Sequence, residues 1–139
     1  MPSLFVDVNV PMYAAGSEHP YRLPAQRIIL SIAGGGLDAC TDAEVLQEIL
    51  YRYRGPSQRS HGLRIFDLFL RIMGGRLLAI DEEVLGHART LADGHPALGP
   101  RELIHLAVMK ANGLTVIATA DRHFDGIDGI ERLGPDRWS

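Results

Sequence analysis

Short β-prone runs alternate with longer stretches of helical period along this chain, and that alternation restricts its fold more than any other feature. Residues 3–6 form a short β-like run ending at a polar position, Asp7. Residues 20–33 have helical period and stop at Gly34-Gly35-Gly36. Residues 38–40 read as a second short strand. Thr41 or Asp42 is then placed to cap a helix whose apolar residues, Ala43, Val45, Leu46, Ile49, Leu50 and Tyr53, fall in one stripe. Gly55-Pro56 breaks it. Residues 63–73 form the next helix, closed by Gly74-Gly75, and residues 77–80 the next strand. A further helix starts at Asp81 and ends near Gly94. Another has Pro100 at its first position, runs through residues 102–111 and meets the stop signal Asn112-Gly113. Residues 114–118 are a β-branched strand, and a last short strand lies near residues 130–133. Under the right-handed crossover rule this order predicts an α/β fold: three layers, α/β/α, around a central, mostly parallel sheet of about five strands.

The chain has 139 residues, room for one domain but not comfortably for two. Its single cysteine, Cys40, excludes an intramolecular disulfide and a Cys-rich zinc site. No apolar stretch reaches membrane-spanning length, and the first ten residues lack a basic segment followed by an apolar run, so a cytoplasmic location is expected. Net charge is −3 but unevenly spread. Between Tyr51 and Arg76 stand six arginines (52, 54, 59, 64, 71 and 76) and one acid, Asp67, a local +5 that leaves −8 for the rest. GC-rich codon usage accounts for the general excess of arginine over lysine. The local cluster fits phosphate binding or a solvated basic face equally well.

Parallel sheets bind ligands beyond the carboxyl ends of their strands. Asp7 directly follows the first strand and Asp121 closely follows the strand at 114–118, so both acids are expected at that edge. On the helix after Thr41, Glu48 lies roughly 130° from the centre of the apolar stripe and can lean over the edge, whereas Glu44, at about 170°, faces solvent. Glu102 lies in the first turn of its helix, where the helix dipole favours an acid even without a function. Two carboxylates about 5 Å apart repel by roughly 3 kcal/mol at an effective dielectric near 20, so a convergent cluster requires protons or a cation. Oxygen donors without cysteine or paired histidine favour Mg²⁺ or Mn²⁺. A metal so held can place a phosphodiester, activate water and stabilise the leaving oxygen.

Other patterns are weaker. Glu102 and His105 have the spacing of a di-iron ligand pair, but there is only one such pair, and His105 reads as a helix histidine with a structural hydrogen bond. Asp7-Val8-Asn9 resembles a phosphoaspartate motif whose second acid is an amide here. A receiver domain needs a lysine after a strand, and Lys110 lies inside a helix. No Gly-Lys-Ser/Thr follows Gly34-Gly35-Gly36, and there is no G-x-S-x-G elbow.

Taken in order, three stretches resemble the PIN domain, the nuclease fold of VapC-type toxins in bacterial toxin–antitoxin pairs. They are residues 5–12, which contain Asp7 and Asn9; residues 41–50, which contain Glu48; and residues 100–125, which contain Glu102, Thr119, Asp121 and Asp125. The resemblance covers nearly the whole chain and implies one PIN-like nuclease domain over residues 1–139. It implies Asp7, Glu48, Glu102 and Asp121 as catalytic ligands of Mg²⁺ or Mn²⁺, with Asn9, Thr119 and Asp125 in support. It implies an endoribonuclease, the toxin of a type II toxin–antitoxin system, working as a homodimer and silenced by an antitoxin. The family usually has Asp where this chain has Glu102, and the extra methylene displaces the carboxylate by about 1.5 Å, one C–C bond. Arg52, Arg54 and Arg59 are placed to hold an RNA backbone, since phosphate contacts position a strand without reading its sequence. The rival expectation is a catalytically silent PIN-like domain that binds RNA or a protein partner. A small-molecule phosphatase is a third. The apolar residues of the helix at 63–73 exceed one stripe, which suits either a partner face or full burial.

Overall fold

The computed structural model describes residues 3–138. Five strands, β1 (Leu4–Val6), β2 (Ala39–Asp42), β3 (Leu77–Leu78), β4 (Val116–Ala118) and β5 (Glu131–Leu133), form one sheet in the order β3-β2-β1-β4-β5. Every pairing is parallel, with Phe5 opposite Cys40 on one side and Ile117 on the other. Six helices accompany them: α1 (Asn9–Ala15), α2 (Arg22–Ala33), α3 (Ala43–Arg52), α4 (Arg59–Met73), α5 (Glu82–Gly94) and α6 (Pro100–Ala111). The chain steps outward from β1 to β2 to β3, then returns past β1 to β4 and β5. With right-handed crossovers, reversing the direction of travel moves the connecting helices to the other face of the sheet. Helices α1, α2 and α4 pack together, and α5 pairs with α6, giving the three-layer α/β/α arrangement.

The core lies between these layers. Phe5, Val6, Ile49, Phe69, Leu106, Met109, Ile117 and Phe124 are fully enclosed, so the two central strands are apolar on both faces, as buried parallel strands must be. No helix of the described residues is long and apolar enough to cross a membrane. Between α1, α2 and α4 runs a groove of about 310 Å³ with a nearly all-apolar lining that includes Pro11, Ala14, Ile29, Leu30, Leu68 and Ile72. Leu30 and Leu68 are exposed there, so the surplus apolar residues of α4 are divided between core and surface.

Several elements differ from their sequence reading. Helix α1 occupies a stretch to which the pattern assigns no element. Its Pro11 lies in the first turn, where the N–H that proline lacks would have no helical partner anyway. Strand β2 extends through Thr41 to Asp42, which also caps α3 by accepting a hydrogen bond from the Val45 N–H at 3.2 Å. Helix α4 begins at Arg59, and its buried Gly62 meets Tyr53 just beyond α3. A β-carbon at Gly62 would overlap the Cβ and Cγ of Tyr53, atoms that cannot move without the backbone. Gly62→Ala is therefore expected to destabilise the fold by about 1–3 kcal/mol, seen as a lower urea midpoint with an unchanged slope.

Candidate active site

The central strands β1 and β4 are neighbours whose following connections leave in opposite directions, which opens a crevice at their carboxyl ends. Asp7 stands one residue beyond β1, and its backbone N–H continues the ladder to the Ala118 carbonyl at 3.1 Å. Its side chain is 7% exposed. Oδ1 accepts from the Val8 N–H at 2.7 Å and Oδ2 accepts from the Thr119 hydroxyl at 2.7 Å. The Thr119 oxygen in turn accepts from the Asn9 amide at 3.1 Å and from the Asp121 N–H at 3.0 Å. Asn9 also takes the Ala120 N–H at 3.0 Å. Thr119 and Asn9 thus lock the turn after β4 onto the end of β1 and hold Asp7 and Asp121 on one edge.

The helices supply the other acids. Glu48, on the flank of α3, is buried and bound by the Arg52 guanidinium at 2.8 Å, with Arg101 Nε 4.0 Å from its other oxygen. Glu102 reaches back to the first turn of α6, where Oε1 accepts the Gly99 N–H at 3.3 Å. Asp121 accepts the His123 N–H at 2.9 Å, and the His123 ring lies 3.2 Å from the same oxygen. Asp7, Glu48, Glu102 and Asp121 all line one polar cleft of about 910 Å³. Glu44 joins them on its wall, half-buried rather than facing solvent.

The donor set fits a hard divalent cation. Five carboxylates line the cleft against two guanidinium groups, Arg52 and Arg101. Ligand atoms of Glu102, Asp121 and His123 lie within 4.8 Å of one another. Oxygen-rich surroundings of this kind, with an imidazole at the rim, match Mg²⁺ or Mn²⁺ better than a thiolate-seeking metal.

The remaining residues singled out in the sequence lie farther off. Asp125 is exposed outside the cleft and pairs with Arg132 at 2.7 Å, a hydrogen bond that holds its carboxyl below the usual range. Arg132 also donates to the Thr119 carbonyl at 3.2 Å, so Asp125 is linked to the turn after β4 through that guanidinium. Of the three arginines, Arg52 lines the cleft; Arg54 folds over the Tyr51 ring at 3.9 Å, and Arg59 is exposed beside Leu50 and Tyr53. Arg101 was not anticipated. Its place beside Glu102 in the first turn of α6 was the available signal, and it bonds Gln47 at 3.1 Å and lies 4.8 Å from the Tyr51 ring.

Beneath the cleft lies a buried pair. His105 Nδ1 is 2.8 Å from Asp42 Oδ2, which is the structural hydrogen bond expected of this histidine. Its Nε2 is 3.6 Å from Asp7 Oδ1, an ion-pair distance but too long for a hydrogen bond. Burial alone would depress this imidazole. The hydrogen bond and charge of Asp42, with the charges of Asp7 and Glu48, outweigh burial and raise its pKa to about 9.

A parallel sheet that gathers acids from β1, α3, α6 and the turn after β4 at one crevice defines a class, and the sequence agrees: the chain belongs to the PIN domain family, whose sequence model matches residues 4–130. Within that family it is similar to ribonuclease VapC13 of Mycobacterium tuberculosis, 38% identical over 130 residues that cover 94% of this chain and 98% of the relative. It is also similar to ribonuclease VapC23 of the same species, 37% identical over 118 residues, 85% of this chain and 92% of the relative. Its fold is similar to that of solved chains in DNA-bound VapBC from Salmonella typhimurium (TM-score 0.71, 19% identity, 97% and 99% covered). FitAcB from Neisseria gonorrhoeae contains another such fold (TM-score 0.72, 19% identity, 95% and 97% covered).

Proposed function

We propose that this chain is a single-domain, metal-dependent endoribonuclease and the toxin of a type II toxin–antitoxin system. The observation that carries the reading is the convergence of Asp7, Glu48, Glu102 and Asp121 from four separate parts of the chain on one cleft. The names of the similar ribonucleases support RNA as the substrate. Asp7, Glu48, Glu102 and Asp121 hold Mg²⁺ or Mn²⁺ in this reading, and the bound ion supplies Lewis-acid charge and a more acidic water. Thr119 and Asn9 keep Asp7 and Asp121 in register. Arg52 and Arg101 offer positive charge at the wall of the cleft to a phosphodiester backbone, and a carboxylate oxygen accepts the proton of the attacking water. An antitoxin is the expected partner, and the apolar groove between α1, α2 and α4 is the surface suited to one. A homodimer and a cytoplasmic location complete the reading.

The test is cleavage of RNA in Mg²⁺ or Mn²⁺, expected to stop on chelation with EDTA. Glu102→Gln is expected to lower the rate at least about tenfold, the scale on which a lost metal partner acts. An unchanged rate would reduce Glu102 to a helix-terminal charge. Two observations favour the alternative of a silent RNA- or protein-binding domain: Glu48 is paired with Arg52, and Glu102 caps its own helix. Calorimetry with Mn²⁺ separates the two, because a silent domain shows no carboxylate-dependent binding.

A further inference from the structure

Among the described residues, His105 Nε2 is a fully buried side-chain nitrogen without a hydrogen-bond partner. Leaving such an atom unsatisfied is unfavourable, and native folds rarely do so without a use for it. Its surroundings indicate the use. Phe5 and Asp7 alternate onto the same face of β1, and the His105 ring packs on Phe5, 5.2 Å between centroids, directly below Asp7. The other ring nitrogen is anchored. Asp42 Oδ2 takes Nδ1 at 2.8 Å, while Asp42 Oδ1 is held by the N-terminus of α3. Asp42 is wholly enclosed, so the imidazole is tethered at Nδ1 and free only to pivot about that end. Both ring nitrogens face carboxylate oxygens, and a nitrogen facing a carboxylate is satisfied only as a donor.

We propose that His105 is a positioning residue for Asp7: anchored by Asp42, it presents its Nε2–H to Asp7 Oδ1 and fixes that carboxylate for a divalent cation. The 3.6 Å gap closes to a hydrogen bond by a small rotation of either side chain. Asp7 then has three donors, the Val8 N–H, the Thr119 hydroxyl and the His105 imidazole, from three separate parts of the chain. The proposal rests on the reading of Asp7 as a metal ligand. It adds Asp42 and His105, which stay out of the cleft lining, to the residues that set metal affinity.

The test separates the two ends of the imidazole. In His105→Asn the amide reaches the place of Nδ1 and Asp42. In His105→Gln it reaches the place of Nε2 and Asp7. Calorimetry with Mn²⁺ is expected to give an affinity within about threefold of the parent for His105→Gln and a loss of about 10–100-fold for His105→Asn, the usual effect of removing a partner behind a metal ligand. RNA cleavage is expected to follow in kcat with KM little changed. Equal affinities in the two variants overturn the proposal. Asp7→Asn is the reference: if it binds Mn²⁺ like the parent, the metal reading itself fails, whereas loss there without loss in His105→Asn defeats only the positioning role. A measurement on the unsubstituted, metal-free protein decides even if a variant does not fold. The ¹⁵N spectrum of the His105 ring is expected to show Nε2 protonated and protected from exchange, and an unprotonated Nε2 refutes the proposal.

Discussion

Asp7→Asn is expected to abolish RNA cleavage, by at least about a thousandfold, while leaving the protein folded. The magnitude follows from charge: losing several kcal/mol of metal-supplied stabilisation of the transition state corresponds to about three orders of magnitude in rate. The fold survives because the amide oxygen still accepts the Val8 N–H. The lost bond is the one from the Thr119 hydroxyl, whose oxygen already accepts from Asn9 and Asp121. One such bond is worth about 1 kcal/mol, and the His105 imidazole keeps its pairing with Asp42 at 2.8 Å. Cleavage in saturating Mg²⁺, with circular dichroism and a thermal melt of the same preparation, is the check. Activity near the parent level removes Asp7 from the site. Loss of activity together with collapse of the melt means that Asp7 holds the end of β1 rather than a cation.

The parallel α/β order was legible because each helix after residue 20 carries a clear stop or start: the glycines at 34–36, Gly74-Gly75, Asp81, Pro100 and Asn112-Gly113. Helix α1 was not, since Pro11 reads as a break unless it is known to fall in a first turn. Asp7 and Asp121 could be placed from strand ends and Glu48 from helix phase, because a carboxylate just beyond a parallel strand has few directions to take; Glu102 offered only its place in a first turn, and its role rested on the resemblance. Glu44 shows the limit of phase: α3 lies low enough over the sheet edge for the far side of its first turn to line the cleft wall. Arg101, and Asp42 as the partner of the hydrogen bond expected of His105, escaped for a different reason. They act through contacts 54 and 63 residues apart in sequence, set by how α6 docks on α3 and β2, and no local pattern encodes that docking.

That docking also has a thermodynamic signature. In EDTA, the stability of the protein is expected to fall as pH rises from about 6.5 to 9, by an amount on the order of 3 kcal/mol. His105 has its folded pKa raised from 6.5 to about 9, by Asp42 and the neighbouring acids acting against burial. A raised basic pKa means that the folded state binds the proton more tightly than the unfolded chain. The contribution is complete below the unfolded value of 6.5, declines through the interval, and is gone once the folded group has titrated near 9. Urea unfolding across this range checks it, with His105→Gln as the reference so that the other titrating groups cancel in the difference. A difference that stays flat between pH 6.5 and 9 would mean that the ring is neutral when folded. The physical content is that Asp7 and Asp42 are both buried and both face one imidazole. While the ring is cationic it satisfies two carboxylates, and once it is neutral one of its nitrogens turns a lone pair toward a buried negative charge.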